Sequence, residues 1–218
     1  MHNFLTLTLS PQVPVSFHGY PTSYNIPSRL WTNGFHRILE HLRRVSLTSP
    51  LALEHLSDLI YYAYNFYAGL LENPILDQYR GGWLEALGDL ARYRMAVAAH
   101  LASAPFGGRV SERLPTLFPS TDGPEARIDD SPSPSVGPAA ALALDVEPER
   151  ETWRKTARGW YAQGLKDTPG LGRLHHHLAI VSREGEGEEM RAVYHFVKRS
   201  VISFVVMSDF FYIPFLTA

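Results

Sequence analysis

The chain has 218 residues, 45% of them hydrophobic, and its 20 Lys plus Arg against 22 Asp plus Glu give a formal charge of -2. That length holds one domain or one domain with a long insert, and near-neutrality excludes a polybasic, histone-like protein, so nucleic acid or anionic lipid could be held only by a local patch. The absence of cysteine rules out a disulfide framework, a thiolate nucleophile and a zinc–thiolate site, and fits a reducing compartment, nucleus or cytoplasm.

Residues 1–28 read as an irregular N-terminal extension. Their apolar stretch has no basic residue ahead of it, and Pro11 and Pro14 interrupt it, so no secretion signal is expected. Helices follow, because apolar side chains then recur at three- and four-residue spacing. Leu30, Trp31, Phe35, Ile38 and Leu42 form the stripe of the first, with Ser28 as N-cap and Pro50 closing the connection after it. The second runs from Leu51 until Asn73 and Pro74 stop it, and the third from about Gly82 to Leu101. Residues 29–102 balance 7 basic against 7 acidic side chains.

Residues 103–149 change character. They are rich in Pro, Gly, Ser and Ala, and such a stretch cannot bury enough apolar surface to offset its ordering entropy, so a disordered insert is expected. Ser131 and Ser133, each followed by proline, suit proline-directed kinases; incidental pairs in a spacer are the plainer reading.

Helicity returns with a fourth helix over 153–166, a fifth over 171–183 and a sixth from Glu188. Ala157, Trp160, Tyr161, Gly164, Leu165 and Pro169 stand where the second helix of a tetratricopeptide repeat carries its small residues, aromatics and terminating proline. The matching first helix holds Leu87 and Gly88, yet Gly88 lies 69 residues before Ala157, whereas a repeat of roughly 34 residues leaves room for only about a dozen. The insert therefore interrupts a helical hairpin. The expected fold class is all-α, with TPR-like hairpins in a right-handed superhelix, residues 29–102 and 150–206 forming one interrupted domain. Residues 207–218 make an apolar tail in which Asp209 and Pro214 argue against a membrane anchor and for a buried last helix, or for a C-terminus replaced at a splice boundary.

His175, His176 and His177 invite a metal reading, but consecutive helical residues splay by about 100° each and cannot converge on one ion, so no metal site is expected. No HExxH, GxSxG, Walker loop or Gly-rich dinucleotide turn is present, which leaves an enzyme without a visible nucleophile, base or cofactor loop; no catalysis and no cofactor are expected. Arginine outnumbers lysine 17 to 3, and Arg suits bidentate contact with phosphate. His36 and Arg43, seven residues apart, share a helix face, with Arg37 offset. Should the first and third helices pack side by side, Arg43, Arg92 and Tyr93 would close around one phosphate; the plainer alternative pairs these arginines with acids such as Glu40 and Asp89. In the later helices Arg158, Arg173, Lys198 and Arg199 are the candidate nucleic-acid contacts. Trp160 and Tyr161 have the face for base stacking, but their helical spacing favours core packing.

The stretches LWTNGFHRILEHLRR, LGDLARYR, ARGWYAQGLKDTPGLG, LHHHLAIVS and MRAVYHFVKRS, in that order, resemble the N-terminal 14-3-3-like and tetratricopeptide DNA/RNA-binding module shared by the ever-shorter-telomeres subunit of telomerase and the SMG proteins of nonsense-mediated mRNA decay. The pattern with RAVYHFVK looks fungal. The resemblance implies a 14-3-3-like, all-helical adaptor without catalysis. Its partners would be proteins, some phosphorylated on serine, and telomerase RNA, mRNA-decay complexes or single-stranded DNA, with no membrane partner. By motif, the family's Arg-Tyr falls on Arg92 and Tyr93 and its 14-3-3-type Arg on Arg43. The family's Lys falls on His36, a departure: a neutral imidazole donates one hydrogen bond and carries no charge, which weakens the pocket unless Arg37 swings in or a bound phosphate favours the protonated ring. The match ends near Ser200, with no nuclease domain. A generic TPR-like module that holds an unmodified peptide remains the alternative.

Overall fold

The computed structural model describes residues 1–103, 138–185 and 187–212, and among them there is no strand. Nine α-helices follow in chain order among these residues: α1 (His2–Thr8), α2 (Tyr20–Ser23), α3 (Ile26–Trp31), α4 (Arg37–Val45), α5 (Pro50–Glu72), α6 (Arg80–Ser103), α7 (Pro138–Asp167), α8 (Gly172–Arg183) and α9 (Glu189–Tyr212). The fold class is all-α.

The N-terminal 28 residues are not an irregular extension. Leu5 of α1 is fully buried and joins Ile26 and Leu30 in the core under α5 and α6, so an amphipathic turn with a few anchoring side chains suffices where no long periodic run exists. Pro11 and Pro14, which break the apolar run, only separate α1 from the short turns that follow.

Between α3 and α4 lies a π-turn, Thr32–His36, in place of the uninterrupted helix expected there. An α-helix leaves residues five apart about 140° out of phase, and a π-turn, closing i→i+5 contacts, takes in the extra residue that brings them back to one side. Leu30 and Phe35 are accordingly both buried, and the stripe continues through Leu39 (0% exposed) while Ile38 stands out in solvent at 47%. Asn25, in the left-handed region at φ 50°, precedes the helix where Ser28 was expected as cap; Asn tolerates that conformation better than most side chains.

Pro50 opens α5 at its first turn, and Asn73 ends it by accepting a 3.1 Å hydrogen bond from the Ile75 amide, starting the 3-10 turn Pro74–Tyr79. α6 and α7 run antiparallel, since Arg80 meets Asp167 at one end (3.3 Å) and Arg94 meets Glu149 at the other (2.6 Å). Midway, Gly88 lies flat against the Tyr161 ring, where any Cβ would collide with it. α8 and α9 are also antiparallel, with His175 on His195 and Gly172 against Ile202.

α7 begins at Pro138, not near Trp153, so residues 138–149 are helix and not insert. The run PAAALALDVE explains the difference: Ala and Leu have the highest helix propensity and Pro is tolerated in the first turn. Residues 104–137, with both Ser-Pro pairs, lie outside the described residues, as do 213–218 of the tail; residues 207–212 belong to α9. Among the described residues, no helix is long and apolar enough to cross a membrane.

Candidate functional site

A cleft of about 700 Å3 opens where α4, α6, α7 and the end of α8 meet. The π-turn and α4 contribute His36, Glu40 and Arg43; α6 contributes Asp89, Arg92 and Tyr93 above a floor of Met95, Ala96 and Ala99; α7 adds Arg150, and α8 with its C-cap adds His177 and Glu184.

The extra residue of the π-turn aims His36 at α6, where its ring stacks on Trp31 (5.8 Å, 26°) and its Nδ1 lies 3.1 Å from the Tyr93 hydroxyl. The same hydroxyl donates a 2.6 Å hydrogen bond to Glu40 Oε1. Arg43 grips Glu40 with both Nε (3.1 Å) and Nη2 (2.9 Å). On the opposite wall Asp89 Oδ1 accepts from the Tyr161 hydroxyl (2.6 Å) and lies 3.5 Å from Arg92 Nη1. Arg92 Nη1 also sits 3.3 Å from His177 Nδ1, and His177 stacks face to face on Tyr161 at 4.9 Å. Arg150 reaches Glu184 at 3.8 Å.

Three guanidinium groups thus alternate with three carboxylates. The hydrogen bonds from Arg43 and then Tyr93 hold the Glu40 carboxyl down at about 2, against burial, so it is anionic throughout the physiological range. Burial, reinforced by Glu40, pushes the Tyr93 phenol up, which keeps it a neutral donor. The arrangement can exchange partners: an incoming anion would take over guanidinium contacts now made by carboxylates, and an incoming cation would meet those carboxylates.

Of the residues named from sequence, His36, Arg43, Arg92 and Tyr93 come together in this cleft; Arg37 is exposed and does not line it. Arg158 is bound to Glu188 (2.6 Å), Arg173 to Glu85 (2.8 Å) and Arg199 to His176 (2.9 Å), while Lys198 lies over the Tyr194 ring; none of the four lines the cleft. The three consecutive histidines point three ways, His175 to His195, His176 to Arg199 and His177 to Tyr161. Tyr161 is wholly buried, and Trp160 is half-buried against the core with its Nε1 donating to the Tyr64 hydroxyl (2.9 Å), so both serve packing. The sequence reading missed Arg150 and Glu184 and took Glu40 and Asp89 only as neutralising acids. Arg150 was hidden because α7 was expected to start after it. No family model matches the chain, and neither a curated protein nor a solved structure matches it.

Proposed function

We propose that the chain is a non-catalytic adaptor whose cleft takes the phosphate of a phosphoserine-containing partner, in telomere maintenance or nonsense-mediated mRNA decay. One observation carries the reading: Arg43, Arg92 and Arg150, from three different helices, converge on a single cleft together with the Tyr93 hydroxyl. Arg forks from separate elements are the arrangement that grips a tetrahedral dianion from several sides. The resemblance of LGDLARYR and the later stretches to the ever-shorter-telomeres and SMG module supports the same reading and names its biological setting. His36 in place of a lysine lowers the charge offered, and the neighbouring carboxylates lower it further.

The test is fluorescence polarisation with a phosphoserine peptide, its unphosphorylated twin and a G-rich single strand, at two salt concentrations. The phosphopeptide binds better than its twin, and Arg43→Glu with Arg92→Glu removes that preference while circular dichroism shows intact helices. Equal binding of both peptides would replace this reading with the second one, a TPR-like groove for an unmodified peptide. The occupied state of Arg43 and Arg92, each already against a carboxylate, is what favours that alternative. Salt-sensitive strand binding without a phosphopeptide preference would point to nucleic acid in place of either.

A further inference from the structure

Among the described residues, helix α9 packs on α8 with one face. Ala192 is buried, His195 meets His175 and Ile202 meets Gly172 on that side. The other side carries Met190, Val193, Tyr194, Val197, Val201 and Phe204, all exposed, from 53% for Tyr194 and Val201 to 81% for Met190. At about 100° per residue these six fall within a stripe roughly 100° wide, and no charged side chain stands inside it. Arg191 and Lys198 lie on its flank, so covering the stripe leaves both in solvent.

Soluble proteins do not ordinarily leave so continuous an apolar stripe to water. At roughly 100 Å2 of exposed surface per side chain the six present on the order of 600 Å2, at the top of the range for the largest patch of a monomer and close to the ~800 Å2 per partner of a standard interface.

Its spacing identifies an occupant. Five of the six, Met190, Val193, Val197, Val201 and Phe204, stand at -7, -4, 0, +4 and +7 from Val197, a pattern that reads the same in both directions, while Tyr194 at -3 has Ser200 as its counterpart at +3. A two-fold axis through Val197 therefore sets Met190 against Phe204 of a second copy and Val193 against its Val201, with Val197 on Val197. That is the self-complementarity an isologous interface requires, and the three- and four-residue steps are those of helices packed in register. We infer that α9 is a homodimerisation helix, pairing antiparallel with α9 of a second copy of this chain about Val197. The inference is independent of the cleft, which lies on other elements.

Because the chain has no cysteine, introduced thiols report the geometry directly. In the full-length protein under mild oxidation, Val197→Cys cross-links to a covalent dimer, since only a residue on the axis meets its own copy within disulfide reach. Met190→Cys and Phe204→Cys each stay uncross-linked alone and cross-link when mixed. Sedimentation equilibrium of the unmodified chain shows a dimer, and Val193→Glu with Val201→Glu raises its dissociation constant at least tenfold with helicity unchanged. A chain that sediments as a monomer at all concentrations would overturn the inference, and so would self-cross-linking of Met190→Cys alone, which marks a parallel pair.

Discussion

Tyr93 donates a 2.6 Å hydrogen bond to Glu40 Oε1, the carboxylate that Arg43 holds with two nitrogens. This contact joins α6 to α4, and the Glu40 carboxylate neutralises the cleft's most exposed arginine from within. Glu40→Gln retains an oxygen for Tyr93 but releases the charge of Arg43. Phosphopeptide affinity is expected to rise about tenfold, ~1.4 kcal/mol, in a polarisation titration. Unchanged or weaker binding would remove Arg43 as the anion's ligand.

The same carboxylate makes the fold acid-sensitive. Its pKa is held below the usual 4.5 at about 2, chiefly by the Arg43 hydrogen bond. A depressed acidic pKa contributes stability that is present above 4.5 and is lost as pH falls toward 2. Glu151, lowered by its hydrogen bonds from Arg154, adds in the same sense. Denaturant midpoints should therefore fall steadily below pH 4.5, and Glu40→Gln should flatten that fall.

A second pH dependence lies nearer neutrality. His175 Nδ1 and His195 Nδ1 are 2.8 Å apart, so one donates and the other accepts, and the accepting nitrogen carries no proton. Burial lowers both pKa values below 6.5, helped by Lys198 at His175 and by His175 and Arg191 at His195. The unfolded chain then binds more protons, and stability is lost as pH falls from 6.5 through the lowered values. His195→Phe, which keeps an aromatic ring between α8 and α9, is expected to reduce the slope of Tm against pH in this range; an unaltered slope would clear the pair of responsibility.

Gly88→Ala tests the crossing of α6 and α7. A Cβ there would lie within 2.7 Å of Tyr161 Cδ1 and Cζ, and Tyr161 is fixed by its 2.6 Å hydrogen bond to Asp89 and by His177 stacked on it. The ring has no room to retreat, so the substitution should destabilise by roughly 1–3 kcal/mol, the usual cost of overpacking, despite alanine's better helix propensity. Thermal unfolding measures it, and a stabilised variant would show that the helices can separate cheaply.

Arg154 is 7% exposed and joins Glu151 (2.6 Å) to Glu188 (2.9 Å), tying α7 to the start of α9. Arg154→Met removes charged hydrogen bonds to both acids but leaves Glu188 held by Arg158 (2.6 Å) and Glu151 40% exposed, so it should cost about 2 kcal/mol in urea unfolding. Arg154→Lys should recover part of that loss; no recovery would mean that the two-sided guanidinium fork matters and not the charge alone.

The sequence by itself determined the helices that are long and locally periodic. α5, α6 and α8 start and stop within about two residues of where Pro50, Asn73 and the apolar spacing place them, because propensity and capping act over a turn or two. It also singled out the Arg-Tyr pair of α6. Whatever depends on relative position was decided by tertiary packing. Periodicity permits both i+3 and i+4 after Phe35, and only the π-turn selects Leu39 over Ile38. α1 is too short for its spacing to speak, yet Leu5 is wholly buried because the core offers it a place. The union of His36, Arg43, Arg92, Tyr93 and Arg150 in one cleft requires α4, α6 and α7 to meet, across a sequence separation of more than a hundred residues that no local pattern spans.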